Sequence, residues 1–316
     1  MAVPSNTIQN VARVGVREDL DNKIAELFPD ETPFQNAIGR SKASNTYTEW
    51  QTDGLAAANH DNKTIQGDDL ANESRANTVR VGTHTQIFKK VVGASTTVEA
   101  TSKAGRRSEL AREIMKAGRE LRTDKEKRFL GNYASVAAAA GTAGETAGAL
   151  AWLTSNVSRG GTGANGGFSA GIVAAATNGT QRAYTEALLK TVLQSVWTSG
   201  GNPKMVITNA AQKQAASAFA GIASARRETG NTRATIIAGA DVYVSDFGEV
   251  QFVPDRFASA RDALVVDPEY WDIAVLDPMK TRDLAVTGLA DRKALYDECA
   301  LRCLNQAASG VVADLT

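Results

Sequence analysis

The sequence predicts an α+β protein, and three observations predict it. One long stripe of helical period runs through residues 102–132. Strand-like alternation fills residues 79–91 and most of the last third of the chain. The two patterns are segregated, without the regular strand–helix alternation of a doubly wound parallel sheet. At 316 residues the chain has room for two ordinary domains or one elaborated one.

Composition narrows the class. Hydrophobic residues make up 43% and charged residues 22%, the balance of a globular protein rather than a disordered one. Formal net charge is zero, so the whole chain lacks the electrostatic footprint of a nucleic-acid or membrane binder. A neutral chain is also free to self-associate. No apolar run reaches the roughly 18 residues of a membrane span. The start, Met-Ala-Val-Pro-Ser-Asn-Thr-Ile, lacks the basic and apolar regions of a secretory signal. Cys299 and Cys303 are the only cysteines, which fits a reducing compartment and no disulfide framework.

The elements follow in order. Leu20, Ile24, Leu27 and Phe28 share one face of a short amphipathic helix over Arg17–Phe28, stopped by Pro29. Such a helix is too short to stand alone. Pro33 is expected to keep the next segment extended. Tyr47–Trp50 and Val79–Val92 read as strands of a long two-stranded ribbon, marginal in water without support. On its second strand Val79, Val81, Thr83, Thr85, Ile87 and Val91 fall on one face. Between the strands, residues 51–77 hold only three large aliphatic side chains, Leu55, Ile65 and Leu70. A connection this long without its own core is usually functional or disordered.

In the helix over 102–132, Leu110, Ile114, Ala117, Gly118 and Leu121 form a narrow stripe, and Gly131 is the expected stop. Residues 135–180 carry ten glycines and read as a loop-rich connector between lobes. A second helix from Thr185 turns Leu188, Leu189, Val192, Leu193 and Val196 inward and ends at Gly200-Gly201. Lys204–Thr208 is a short buried strand, and Asn209 caps a helix expected to reach Phe219 and stop at Gly221. A hairpin over Ala240–Pro254 turns at Asp246–Gly248, and strands follow at 263–266, 273–276 and 294–305.

Chemical motifs are sparse. Gly161-Thr-Gly-Ala-Asn-Gly166 matches the dinucleotide fingerprint letter for letter. That chemistry needs a strand before the loop and a helix after it, whose N-terminus meets the pyrophosphate. The flanking text fits neither, so a flexible loop is the leading reading and a nucleotide site the alternative. His60 and His84 adjoin no serine–aspartate arrangement. Cys299 and Cys303 have no third cysteine or nearby histidine to complete a zinc site, which leaves apolar packing. Asp68-Asp69 and Asp30-Glu31 lie in loop text; solvated surface is the default reading, with a glycosidase-type carboxylate pair left open. Residues 89–128 hold twelve Lys/Arg against six Asp/Glu. That excess suits either a phosphate backbone or a solvated helix face laced with ion pairs. No catalytic, cofactor-binding or metal-ligating residue is assigned, and no cofactor is expected.

The order of parts resembles the major capsid proteins of tailed bacteriophages (Caudoviricetes), the Hong Kong 97-type fold. The stretches that carry the resemblance are Arg17-Glu-Asp-Leu20, Pro29-Asp-Glu-Thr-Pro-Phe34 and Glu49-Trp50-x-x-Asp53. Later come Gly201-Asn-Pro203, Phe247-Gly-Glu-Val250 and Glu298-x-x-Leu301-x-x-x-Asn305-x-x-Ala308-x-Gly310. Their order through nearly the whole chain makes the match specific. The resemblance implies an N-terminal arm at 1–44 and an extended loop at 45–92 that lies over the neighbouring subunit. It implies a peripheral domain at 93–179, with a spine helix and the Gly-rich connector, and an axial domain at 180–285. Residues 286–316 would be the peripheral return strand and C-terminus, with both cysteines on strand.

By the same resemblance the chain is a structural protein of the virion capsid, not an enzyme. It would self-assemble as hexamers and pentamers into an icosahedral shell enclosing phage dsDNA, in the host bacterial cytoplasm, with no membrane involved. The implied partners are a portal protein, a decoration or cement protein, and packaged dsDNA met through non-specific contact. About 45 residues precede the finger, too few for a large fused scaffolding domain, so a separate scaffolding protein is expected. The basic residues Arg112, Lys116 and Arg119 are expected to face the DNA. Lys63 lies near the fingertip, but no partner asparagine is identifiable and no crosslink is expected. An encapsulin-like compartment shell is the runner-up. An enzyme using the Gly161–Gly166 loop is the alternative from another class.

Overall fold

The computed structural model describes residues 24–70, 72–73, 75–219, 241–286 and 288–316. Two sheets organise the chain. The four-stranded sheet runs in the order β1 (Gly39–Lys42), β12 (Trp271–Asp283), β13 (Ala290–Cys303), β4 (Gln86–Ser95). The six-stranded sheet runs β5 (Val157–Ser158), β14 (Gly310–Val312), β11 (Ala263–Val266), β8 (Met205–Thr208), β10 (Gly248–Pro254), β9 (Val242–Ser245). Two hairpins stand outside them, β2 (Tyr47–Thr52) with β3 (Val79–His84) and β6 (Gly167–Ser169) with β7 (Ile172–Ala174). The helices are α1 (Pro33–Ala37), α2 (Thr96–Ala100), α3 (Glu109–Phe129), α4 (Ala149–Trp152), α5 (Glu186–Thr198) and α6 (Ala210–Ser217). This is the α+β arrangement that the segregated periodicities predict.

The long helix begins later than its stripe suggests. Gly105 takes a φ of 75°, a left-handed turn that ends any helix coming from residue 102. Ser108 then caps α3, its hydroxyl accepting from Ala111 N at 3.2 Å. Lys127 and Arg128 sit in the last turn, where the helix dipole favours cations. Leu130 is the C-cap and Gly131 follows it, as expected. The buried face holds Ala117, Leu121 and Phe129, together with Lys125 and Glu126.

Several expectations are corrected. Residues 17–23 of the expected arm helix lie outside the described residues, and 24–28 are not helical. Leu27 is 96% exposed and has no partner among the described residues. Pro33 opens α1 instead of extending the chain, because a fixed φ and a missing N–H suit the first helical position. The expected single strand over 79–92 is two. Thr85 separates β3 from β4: its N–H donates to Thr46 O at 2.8 Å and its hydroxyl to Glu298 Oε1 at 2.7 Å. The alternation shifts by one there, so Phe88 and Ala94 turn inward while Ile87 and Val91 face out. The ribbon thus stops at His84, and β4 pairs with β13.

The glycine-rich segment is not a mere connector. Ala147, Ala149, Leu150, Ala151, Trp152 and Leu153 are all buried and join the larger core with Leu121, Phe129, Trp271 and Leu301. Glycine serves close approach here: a Cβ at Gly148 would lie 2.0 Å from Gly131 O. A smaller core lies between α5 and the six-stranded sheet, with Leu189, Val192, Leu193 and Val196 against Val206, Val265, Phe252 and Leu315. Asn209 caps α6 through Ala211 N, but the helix ends at Ser217; Gly221 lies outside the described residues. The turn at Asp246–Gly248 and strand β11 lie where expected, and β12 and β13 run longer than 273–276 and 294–305.

Sheet membership cuts across two of the expected domain boundaries. Residues 271–283 pair in the four-stranded sheet rather than with the strands at 205–266. Residues 310–312 return to the six-stranded sheet, antiparallel to β11 and parallel to β5.

If the Gly148 segment is core, Gly148→Ala should destabilise the chain by about 1–3 kcal/mol, the usual cost of overpacking. Urea unfolding reads this as a lower midpoint at unchanged slope. A midpoint equal to the parent's would show that the segment is loosely packed.

Candidate assembly surfaces

The finger is built from a rigid root and an unsupported tip. At the root, β2 and β3 pair antiparallel from Tyr47↔His84 to Thr52↔Val79. Trp50 fastens the ribbon to the body: its indole N–H donates to Leu304 O at 3.2 Å and its ring lies 5.5 Å from Trp152. Arg302, held by Asp272, places its guanidinium 5.7 Å from the Trp50 ring. Gly82 lets the ribbon close, since a Cβ there would meet the Tyr47 hydroxyl at 2.6 Å and Thr48 O at 2.9 Å.

Beyond Thr52 no strand forms until Val79 among the described residues. Leu55, Ile65 and Leu70 are 101%, 77% and 78% exposed, so the three aliphatic side chains singled out in the sequence have no burying partner among the described residues. The hydrogen bonds of the tip are local: Lys63 Nζ to Asp61 Oδ1 at 2.9 Å, Asp68 N to Ile65 O at 3.1 Å, Asp69 N to Asp68 Oδ1 at 2.9 Å. Asp68 and Asp69 are therefore surface carboxyls on the finger.

A second projection was not legible in the sequence. The β12–β13 pair continues to Asp283↔Lys293, and β4 pairs alongside as far as Ser95↔Ala290. At its turn Val286 and Leu289 are 69% and 80% exposed. Pro278 hides it, because a proline interrupts the strand-compatible text that runs on from Trp271. The strand tolerates Pro278 at a register shift between Asp277 and Lys280.

The arm lies along the spine helix. Arg112 donates to Glu26 Oε1 through Nη2 at 3.0 Å and Nε at 3.2 Å, and Arg119 lies 3.6 Å from Asp30 and over the Phe28 ring. Arg112 also lies within 3.8 Å of Glu109 and 3.6 Å of Glu113. Of the three basic residues marked for DNA, two are thus engaged by acids of the same chain, which favours the reading as a paired helix face. Asp30 thus faces Arg119 of the long helix.

The remaining candidates resolve as structure. The Gly161–Gly166 loop is followed by β6, not by a helix, so no helix N-terminus meets it. Asp314 closes it instead. This buried carboxylate, at a backbone φ of 61°, accepts from Gly160 N, Gly179 N and Arg261 Nη2 at 3.1, 2.7 and 3.1 Å. Cys299 and Cys303 lie buried on β13, and burial pushes the Cys299 thiol up to about 12 and Cys303 well above its ordinary range. The His84 ring lies 4.6 Å from that of Tyr47, tilted by 38°, and partial burial lowers its pKa against a hydrogen bond that it donates to the Gly171 backbone. His60 stands on the exposed tip. Among the described residues no group of three His, Cys, Asp or Glu side chains gathers to hold a metal. No helix among them is long and apolar enough to cross a membrane.

The described residues thus comprise a projecting ribbon, an arm laid on a long helix and two linked sheets. The sequence model of the SU10 major capsid protein family matches residues 3–316. The chain belongs to this family. The major capsid protein of Escherichia phage Phieco32 is 27% identical over 339 residues, covering 94% of each chain. In structure, a chain of the cyanophage A-1(L) capsid asymmetric unit matches with a TM-score of 0.71 at 14% identity, over 98% of this chain and 100% of that one. An encapsulin from the holo-SrpI complex of Synechococcus elongatus is more distant, with a TM-score of 0.56 at 11% identity over 98% and 96%. The fold is the Hong Kong 97-type, and the protein is a phage major capsid protein, which sets the encapsulin reading aside.

Trp50→Ala should loosen the finger's root. It removes a half-buried ring and one hydrogen bond, a loss of about 2 kcal/mol, below the range for a fully buried Trp. Hydrogen exchange of the β3 amides should rise more than that of β13. Equal protection in β3 before and after the change would place the anchor elsewhere.

Proposed function

We propose that the chain assembles as hexamers and pentamers into an icosahedral shell around phage dsDNA, with residues 45–92 laid over the next subunit. The observation that carries this reading is the fingertip: three fully or largely exposed aliphatic side chains on a ribbon with a fixed root. Apolar surface presented this way finds its burial between chains. In this reading α3 and the four-stranded sheet form the peripheral domain, and the six-stranded sheet with α5 and α6 forms the axial domain near the capsomer centre. The C-terminal strand ties the second to the first. The partners are a separate scaffolding protein, a portal protein, a decoration or cement protein on the outer surface, and DNA met through non-specific charge. Assembly takes place in the host bacterial cytoplasm. The role is structural, with no catalytic step and no cofactor; the clamped Gly161–Gly166 loop offers no phosphate cradle.

Deleting Asp53–Arg75 tests the reading. The expected product is a chain with the parent's circular dichroism and unfolding midpoint that fails to close shells with its scaffolding protein under electron microscopy. Closed particles of ordinary size from the deleted chain would overturn the role given to the finger.

A further inference from the structure

Two buried carboxyls meet where three elements join, and the fold gives them no countercharge. Glu126, on the inner face of α3, is fully buried, and Asp255, just after β10, is 3% exposed. Glu126 receives the start of α1. Its Oε1 accepts from Phe34 N at 2.7 Å, and its Oε2 accepts from Gln35 N at 3.1 Å and Gln35 Nε2 at 2.8 Å. Asp255 Oδ1 accepts from Phe257 N at 2.6 Å, while Oδ2 is buried with no donor. The side chains of Glu126 and Asp255 are hydrogen-bonding neighbours. Two carboxylates have no hydrogen to put between them, so one of the pair carries a proton. Three N–H donors on Glu126 favour its ionised form. Asp255 in turn accepts from the Phe257 and Ala258 amides, so the pair holds the one proton between them.

The charged groups around the pair do not relieve it. From the arm, Glu31 adds like charge near Asp255. From α3, Arg122 turns its guanidinium to Thr32 Oγ1 and Asn36 Oδ1, and Lys125 is held by Asp297 of β13. Among the described residues neither acid is in an ion pair.

We propose that Glu126 and Asp255 share a single proton and act as a latch, which holds α1 and the 255–258 loop on the spine helix while that proton is present. Loss of the proton leaves two facing carboxylates, which water must enter to solvate, and the arm root and loop part from α3. The proton passes from the pair to solvent base, and no other bond changes. The reading concerns the folded chain itself, and so goes beyond its role in a shell. Burial, with Asp255 beside it, pushes Glu126 up to about 8, and burial raises Asp255 as well; the two titrate as one unit. The native chain holds more protons than the unfolded chain from the ordinary carboxylate range up to about 8. Stability from the latch therefore falls as pH rises through that window and is level above it.

Hydrogen exchange of the full chain, corrected for intrinsic rates, tests the latch through the peptide covering residues 33–38 at about pH 6 and about pH 9. One linked proton moves the docking equilibrium by up to about tenfold per pH unit inside the window. Wild-type protection should therefore drop at the higher pH. Asp255→Asn supplies a permanent N–H donor to Glu126 and should keep the peptide protected at both. Glu126→Gln turns an amide NH2 toward the α1 donors and should leave it unprotected at both. Wild-type protection that is the same at both pH values, or an Asp255→Asn chain that follows the wild-type profile, overturns the proposal. The wild-type comparison decides the matter even where a variant folds poorly.

Discussion

Trp271 is where the arm, the longest strand pair and the C-terminal return meet. Its ring is fully buried, edge-on to Phe34 of α1 at 6.0 Å, and its backbone pairs with Cys303 across β12–β13. Its indole N–H donates to Ser309 Oγ at 2.9 Å, one residue before β14 enters the other sheet. A buried donor without an acceptor would cost about 1–3 kcal/mol, so the position of Ser309 is tied to that of the ring. Ser309 Oγ also accepts from Asp267 N at 3.3 Å, just after β11. Neither sheet can therefore shift without disturbing the seat of the arm.

The finger shows what the chain leaves undone. Burying Leu55, Ile65 and Leu70 would return about 1.5–3 kcal/mol each. Fixing the backbone of a tip of this length costs about 1–2 kcal/mol per residue, so three anchors do not hold it unaided. The ribbon lowers the cost by fixing both ends of the tip, since closing a loop between held ends is cheap in entropy compared with ordering a free chain. In the proposed assembly the anchors would decide where the tip lands, and polar contacts repeated from subunit to subunit would supply the rest.

What could be read from the sequence follows from which forces leave a periodic trace. The stripe through Leu121, the inward face of α5, the buried strand β8 and the polar finger were all legible, because each is a local pattern of burial. The end of the arm helix, 24–28, was misread because its apolar residues are spaced for a helix yet Leu27 finds no partner among the described residues. The shift of face at Thr85 was hidden, because a threonine that bonds across to Glu298 looks in sequence like any other strand residue. The core role of residues 147–153 was masked by the glycines around them, which read as flexibility but serve close backbone approach. Lys125 and Glu126 look solvated in a charged helix; only the fold supplies the distant mates that allow their burial.

Those two residues bear on how α3 is held in one register. An apolar stripe of leucine and alanine gives similar burial after a shift of one helical turn, so packing alone discriminates weakly between neighbouring settings. Charged groups inside the contact discriminate strongly, because one buried without its mate costs several kcal/mol. Lys125 finds Asp297 on β13, and the adjacent Glu126 finds the α1 amides and Asp255 on a different element. A slide of one turn would strand both at once. The spine helix is thus fixed against the four-stranded sheet by a cation and against the arm by an anion, at consecutive positions. The same arrangement makes the anion's side the weaker one, since it rests on a proton where the other rests on a full countercharge. Rearrangement of the subunit should therefore begin at the arm root and leave the seat on β13 in place.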